Sequence, residues 1–590
     1  MMPDRLLTEI ARRSSTFASA SRALWLLAGL CCCEISLAQT PSVTVSGVDK
    51  PLAANVMAFL GRDELTCTTP QWQLSRLQTR WQRRAARGLE PFGFYAPDVR
   101  VAIDAVADCW DVAVTIDPGM PVRIRGSAVS VSGPASALPT ITSAIKTAPQ
   151  PGDVLLHSRY ESTTRALTNA LLAAGFFDAS FPESELAVFP AETAADIRLI
   201  AESGDRYRIG AIRVQQNVLD EALIARLIQV RSGAPYSRAV LDQLQADLVS
   251  TTYFDQVSVR AALEERDEGV VPLDVELTPA QKLGYYIGVG ASTDQGPRLR
   301  GGYRNRRVNG RGHQFESGAL YSPVLSQLTA EYRQPLANPL RDWQTVELQF
   351  ESEETDTSTD RRWQLGIERT RALRDGWVFS YGLSALDSRF DVADQSASAR
   401  LLMPVVGLSR RNADSQANPR RGSSIELSAR ATSASIVSTT SFVQAYARYR
   451  RLIPLGSRGR IALRGELGAT WQSDFEALPP SVRFFAGGDN SVRGFGYQEL
   501  GPEDADENVI GGSQLATASI EYEHAITDKW GVAVFVDAGN AFDDANIEPK
   551  VGAGLGVVWR SPVGPLRAYL ATPVATEGGL RLHVSFGADL

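Results

Sequence analysis

Between residues 42 and 279 apolar positions recur first at helical and then at strand spacing. Leu74, Leu77 and Trp81 repeat at three and four, as do Leu167 and Leu171, and Val240, Leu241, Leu244 and Leu248. Each of these predicted helices leads into an aromatic pair, Phe94-Tyr95, Phe176-Phe177 or Tyr253-Phe254, and then into alternation such as Val99, Val101, Ile103. The pairs recur about every eighty residues, which marks an internal repeat. Each unit reads β-α-α-β-β. It opens on VTVSGV, VRIRGSAVSV or YRIGAIRVQQ and closes on DVAVTI, ADIRLIA or PLDVEL. The predicted units span 42–120, 121–205 and 206–279. Two helices on one face of a three-stranded sheet bury a modest core. The free sheet edges suit strand addition by an extended peptide, with inert spacers as the alternative.

After Pro279 the helical period stops, and residues 280–590 read as short alternating runs between polar turns. In WQTVELQFES, Thr345, Glu347 and Gln349 oppose Val346, Leu348 and Phe350, and aromatics gather near strand ends. This is the pattern of an all-β antiparallel transmembrane barrel, where lipid-facing and lumen-facing residues alternate. About sixteen strands would leave about nineteen residues for each strand and turn, enough for tilted spans of about ten. A soluble β-sandwich is the alternative, but closure fits better, because lipid cannot satisfy free backbone edges.

The 590-residue chain has 67 acidic against 60 basic residues, a net charge of −7, which does not favour a nucleic-acid partner. Residues 1–38 read as a secretory signal peptide. Arg5, Arg12, Arg13 and Arg22 precede the apolar run Ala23–Leu30, and Ser36-Leu37-Ala38 offers a cleavage site. Cys31-Cys32-Cys33 argues weakly for a lipid anchor, since Leu30 stands where a small residue is needed. Of the five cysteines only Cys67 and Cys109 would remain after cleavage. In an exported chain these suit one disulfide, with two buried thiols as the alternative.

One turn-rich interval in the barrel half stands out, RFFAGGDNSVRGFGYQELGP from Arg483 to Pro502. Gly487 and Gly488 suit tight turning, and Arg493-Gly494-Phe495 places a planar cation on the loop. In SIEYEHAI, Ser519, Glu521 and Glu523 share one face, and in VFVDAGN, Asp537 shares one with Phe535. Polar faces belong to the lumen, so Glu521 and Asp537 are expected to point inward and to clamp Arg493, with a solvated surface loop as the alternative. No nucleophile elbow, phosphate loop or zinc spacing occurs. His157, His313, His524 and His583 are scattered, GAGLG at 552–556 lies in a strand pattern, and no enzyme or cofactor is expected.

The Arg483–Pro502 stretch with its RGF core, followed by SIEYE and FVDAGN, resembles the signature of the BamA/TamA outer-membrane insertase superfamily. NPRRG at 418–422 resembles another of its strand motifs, and the repeats resemble polypeptide-transport-associated (POTRA) domains. The resemblance implies three periplasmic POTRA repeats, a sixteen-stranded barrel in the bacterial outer membrane, and contacts of Arg493 with Asp537 and Glu521. Three repeats without a plug helix, and GPRLRGGY near the barrel start, are most similar to the TamA branch. That branch implies client outer-membrane β-barrel proteins such as autotransporters, a TamB-like inner-membrane partner and the lipid bilayer. The expected mechanism is a seam that parts between the first strand, near Leu283–Ala291, and the last, near Arg581–Leu590, where Gly587 would weaken pairing. A polypeptide-secretion pore and a BamA-like general insertase are the alternatives. Arg76, Arg80, Arg83, Arg84 and Arg87 on the first repeat suit either an acidic partner or a solvated helix face.

Overall fold

The computed structural model describes residues 40–61, 65–107, 109–543, 547–562, 564–574 and 578–586. The expected signal, residues 1–38, and Gly587 lie outside them. The chain divides into two units, Met1–Arg206 and Tyr207–Leu590.

The first unit holds two repeats of the expected order. In the first, β1 (Ser42–Ser46), α1 (Lys50–Leu60), α2 (Gln71–Leu89), β2 (Asp98–Val106) and β3 (Cys109–Asp117) form a sheet ordered β1-β3-β2. The parallel β1–β3 pair requires a crossover, and the two helices supply it. Helix α1 starts where the Asp49 carboxylate accepts the Leu52 N–H at 3.2 Å, with Pro51 in the first turn, where no N–H is needed. On α2, Leu74, Leu77, Trp81 and Ala85 form one buried stripe that packs with Val112, Val114 and Ile116 of β3. A Cys67–Cys109 disulfide ties the segment before α2 to the start of β3. The second repeat comprises β4 (Arg123–Ser132), α3 (Pro139–Lys146), α4 (His157–Ala173), β5 (Ser180–Phe189) and β6 (Ala194–Glu202), ordered β4-β6-β5. Its core gathers Ile141, Leu167, Leu171, Phe176 and Leu199.

The second unit opens with the third repeat: β7 (Arg208–Gln215), α5 (Glu221–Leu227), α6 (Arg238–Ser250), β8 (Phe254–Ala261) and β9 (Val270–Pro279), ordered β7-β9-β8. Sixteen strands follow, from β10 (Leu283–Ser292) to β25 (Arg581–Phe586), each antiparallel to its sequence neighbour. The third repeat is fastened to the turns at the near rim of this sheet. Asp220 N–H donates to Gly310 O at 2.8 Å, Tyr253 Oη–H to Gly312 O at 2.6 Å, and Arg226 to Leu336 O at 2.8 Å. Trp343, Trp377, Trp530 and Trp559 stand at that same rim, while Trp363 and Trp471 lie toward the opposite one, the two aromatic girdles of a bilayer-spanning barrel.

The strands alternate as the pattern predicts. On β22 (Trp530–Phe542), Val532, Val534 and Val536 are exposed, while Ala533, Phe535 and Asp537 are buried toward the lumen. Strand β10 departs from its peers. Tyr285, Ile287 and Val289 are 75%, 81% and 83% exposed, against 42%, 55% and 46% for the three β22 valines, because β10 has a full neighbour on one side only. Among the described residues no ladder joins β10 to β25. The two ends meet at Thr293 N–H to Val584 O, 3.2 Å, and at Val584 N–H to Thr293 Oγ1, 3.0 Å.

The disulfide closes a loop of 42 residues, so Cys109→Ser should destabilise the first repeat by about 2–4 kcal/mol. In full-length protein this is expected to appear as cleavage between residues 40 and 118 at protease concentrations that spare the wild type.

Candidate functional site

The loop between β20 (Gly459–Gln472) and β21 (Gln514–Ala525) turns back into the barrel and does not project from it. Its root is apolar: Leu478 and Val482 pack with Leu401, Met403 and Phe442 of the wall. Arg483 is buried there and donates to the carbonyls of Leu478, Glu476 and Ile510 at 2.8, 3.2 and 2.9 Å, so this first arginine fastens the loop to itself. Phe484 and Gly512 exchange backbone hydrogen bonds, as do Ala486 and Leu500, which makes the loop a narrow two-way ribbon. At its far side Tyr497 Oη–H donates to Glu353 on β14 (Asp342–Glu354) at 3.0 Å, so the ribbon crosses the lumen from wall to wall.

Arg493 sits near the tip and is 2% exposed. Its Nε donates to Asp537 Oδ2 at 2.7 Å and its Nη2 to Asp537 Oδ1 at 2.9 Å, a two-point fork matched to one carboxylate. Nη1 donates to Glu521 Oε2 at 2.6 Å, and the Arg493 backbone N–H adds a bond to Asp537 Oδ2 at 3.0 Å. The other Glu521 oxygen accepts from Tyr569 of β24 (Gly564–Val574) at 2.8 Å. The guanidinium carbon lies 3.4 Å from the ring centre of Phe535 and 4.6 Å from that of Tyr569, so two aromatic faces cover the cation. Arg464 approaches Asp537 at 3.7 Å, which brings two cations to two carboxylates. Local neutrality of this kind is what allows charges to stay out of water.

The backbone fits as closely as the charge. Gly494 has φ 101°, in the region that favours glycine, and a Cβ there would stand 3.0 Å from the Thr572 carbonyl carbon. On β23 (Lys550–Ser561) a Cβ at Gly552 would overlap the Arg493 carbonyl oxygen, so this glycine of GAGLG leaves the space in which the loop lies. Gly487 and Gly488 turn the ribbon at φ 98° and 99°, and Phe495 joins Val492, Ala486, Leu500 and Leu515 in a small lumenal core. A cavity of about 700 Å³ remains between the loop and the wall, bordered by Arg298, Glu353, Arg362, Arg448 and Asp489.

Three family models match the chain. The Omp85 superfamily domain covers residues 308–588, the POTRA domain described as TamA domain 1 covers 42–118, and the surface antigen variable number repeat, also a POTRA, covers 207–280. Residues 308–588 form an Omp85 superfamily domain. The chain is similar to the outer membrane protein assembly factor BamA of Nitratidesulfovibrio vulgaris, 23% identical over 65% of this chain and 51% of that protein. It is also similar to BamA of Neisseria meningitidis serogroup B, 23% identical over 78% of this chain and 66% of that protein. The chain thus spans about half to two thirds of the length of these relatives. The crystal structure of Haemophilus ducreyi BamA lacking POTRA domains 1–3 shares the fold, with a TM-score of 0.65 and 16% identity over 79% of this chain and 99% of that one. The Omp85 barrel is an outer-membrane barrel, and the POTRA repeats before it are periplasmic.

Within the Omp85 domain the structure brings together Arg493, Asp537 and Glu521, with Gly494 and Phe495 beside them. Glu523, on the same strand face as Glu521, faces a different pair, Arg460 and Arg560, and Arg460 also donates to Pro419 O of the NPRRG motif. Sequence reasoning did not single out Asp294, Asp489, Tyr569 or His583. Strand alternation offered one signal: His583 falls between outward Leu582 and Val584, so it faces inward. It is buried, 2.8 Å from Asp489. Burial, and after it the charge of Asp489, pushes the Asp294 carboxyl in the turn after β10 well above the ordinary carboxylate range.

Lysine keeps the charge but not the fork, so Arg493→Lys should release the loop nearly as fully as Arg493→Ala, each at a cost of about 3–5 kcal/mol. Gly552→Val should release it with every charged partner intact. Both are checked by protease cleavage within 483–502 on barrels that still show folded mobility on unheated gels.

Proposed function

We propose that this chain is the outer-membrane component of a module that assembles β-barrel clients such as autotransporters. The observation that carries this reading is the unclosed seam, where β10 and β25 share the Thr293–Val584 contact and no ladder among the described residues. A strand edge that carries apolar side chains outward and has few backbone partners gives a client strand a template for pairing in a medium without water. Tyr285, Ile287 and Val289 supply that outward apolar face. The periplasmic repeats would deliver the client, and their edge strands β1 and β2, β4 and β5, β7 and β8 suit extended segments.

The match of the first repeat to TamA domain 1 supports the autotransporter reading and, with it, a TamB-like inner-membrane partner. The BamA names of the curated relatives support a second reading, a general insertase for outer-membrane proteins. A secretion pore is less well supported, because the loop crosses the lumen between the β21–β24 wall and Glu353.

Cysteines that lock β10 to β25 should abolish client assembly under oxidising conditions and restore it under reduction. Unchanged assembly in the locked state would remove the seam from the mechanism. Deletion followed by surface proteomics separates the two readings: selective loss of autotransporters supports the first, and broad loss of barrel proteins the second.

A further inference from the structure

The seam and the loop meet at one buried carboxylate. Asp489, on the loop, accepts at Oδ1 from the Thr293 hydroxyl at 2.5 Å and stands 2.8 Å from His583 Nδ1. Thr293 donates its N–H to Val584 O and accepts the Val584 N–H at Oγ1, so this threonine belongs to the seam itself. His583 Nε2 accepts the Gly494 N–H at 2.9 Å. A backbone N–H can only donate, so Nε2 carries no proton, and the ring's proton sits on Nδ1, where it donates to Asp489. The Asp489 N–H in turn donates to both oxygens of Asp294 at 3.0 and 2.9 Å. The first hairpin, the last strand and the loop are thereby tied through Asp489 and His583, whose side chains are 2% and 5% exposed.

Asp294, Asp489 and His583 place possible ligand atoms within 4.8 Å of one another. Both nitrogens of His583 are already engaged, so the imidazole serves as a connector and has no free lone pair for an ion. The network is also incompletely satisfied: Asp489 Oδ2 is buried without a hydrogen-bond partner among the described residues. A buried acceptor in that state costs free energy, which is returned when the loop tip meets water.

We infer that Asp489 and His583 form a latch that makes seam closure conditional on loop docking. Gly494 directly follows Arg493, so withdrawing Arg493 from Asp537 pulls the Gly494 N–H off His583 and carries Asp489 away from Thr293. The ion cluster on β21 and β22 sets where the loop lies, and the latch transmits that position to β10 and β25. His583 is thus a positioning residue for the proposed client gate. The inference builds on the proposed function, but its test reads strand separation and needs no client, so either can fail alone.

The test uses the full chain in lipid bilayers, with cysteines at Ala291 and Phe586, each two residues from the Thr293–Val584 contact. The readout is the rate of oxidant-induced crosslinking in barrels of folded gel mobility. His583→Phe keeps the ring volume and removes both hydrogen bonds, and it should slow crosslinking about tenfold. His583→Gln retains a donor and an acceptor and should recover much of the rate. Asp489→Ala, off the barrel wall, removes the acceptor of both bonds, so it should slow crosslinking too and serves if His583→Phe does not fold. Arg493→Ala should slow it as much as His583→Phe, and the double variant no further. Wild-type crosslinking in both His583→Phe and Asp489→Ala, equal rates for His583→Phe and His583→Gln, or additive effects of Arg493→Ala and His583→Phe would each overturn the latch.

Discussion

A guanidinium held out of water inside a barrel must find both charge and geometry to match it, and the architecture around Arg493 follows from that requirement. Asp537 meets two of its nitrogens, Glu521 a third, and the rings of Phe535 and Tyr569 cover its faces. Four consecutive features of the wall, on β21, β22, β23 and β24, are shaped to this one side chain and the backbone that carries it. Gly552 is flat because the loop passes over it, and Gly494 bends where Thr572 leaves no space. Removing either ionic partner leaves the other buried and uncompensated, which is why such a cluster acts as a fixed point and not as one contact among many.

From that fixed point the loop reaches two other places. Through Tyr497 it touches Glu353 on the opposite wall, and through Asp489 and His583 it touches the first and last strands. The lumen is therefore crossed by an ordered ribbon, while the weakest junction of the sheet lies beside the ribbon's tip. Every other neighbouring pair of strands in the sheet is joined by a continuous ladder, and among the described residues this junction is not. The exposure of Tyr285, Ile287 and Val289 is the lipid-side counterpart of the same deficit.

Much of this was legible in the amino-acid order. Period-two alternation placed Glu521 and Asp537 on the inner face, since a strand has only two faces and lipid excludes carboxylates from one of them. The three- and four-residue spacing of Leu74, Leu77 and Trp81 marked the helix that fills the first repeat. The resemblance carried by the RGF loop named the partners of Arg493, which spacing alone left open. What escaped was the set of contacts that depends on strand register and loop path. His583 is an isolated histidine in sequence, and Asp489 lies 94 residues away from it. Gly552 belongs to a stretch that reads only as strand, and the loop's course explains what it admits. The seam glycine, Gly587, falls outside the described residues, so the weak pairing of β10 rests on Thr293 and Val584 instead.

The most direct test of the buried clamp is a double-mutant cycle across Arg493 and Asp537, read as protection of the loop from protease in folded barrels. A shared buried ion pair predicts a coupling of about 3 kcal/mol, with the double variant far less exposed than the sum of the single ones. Independent, additive effects of the two substitutions would contradict the account.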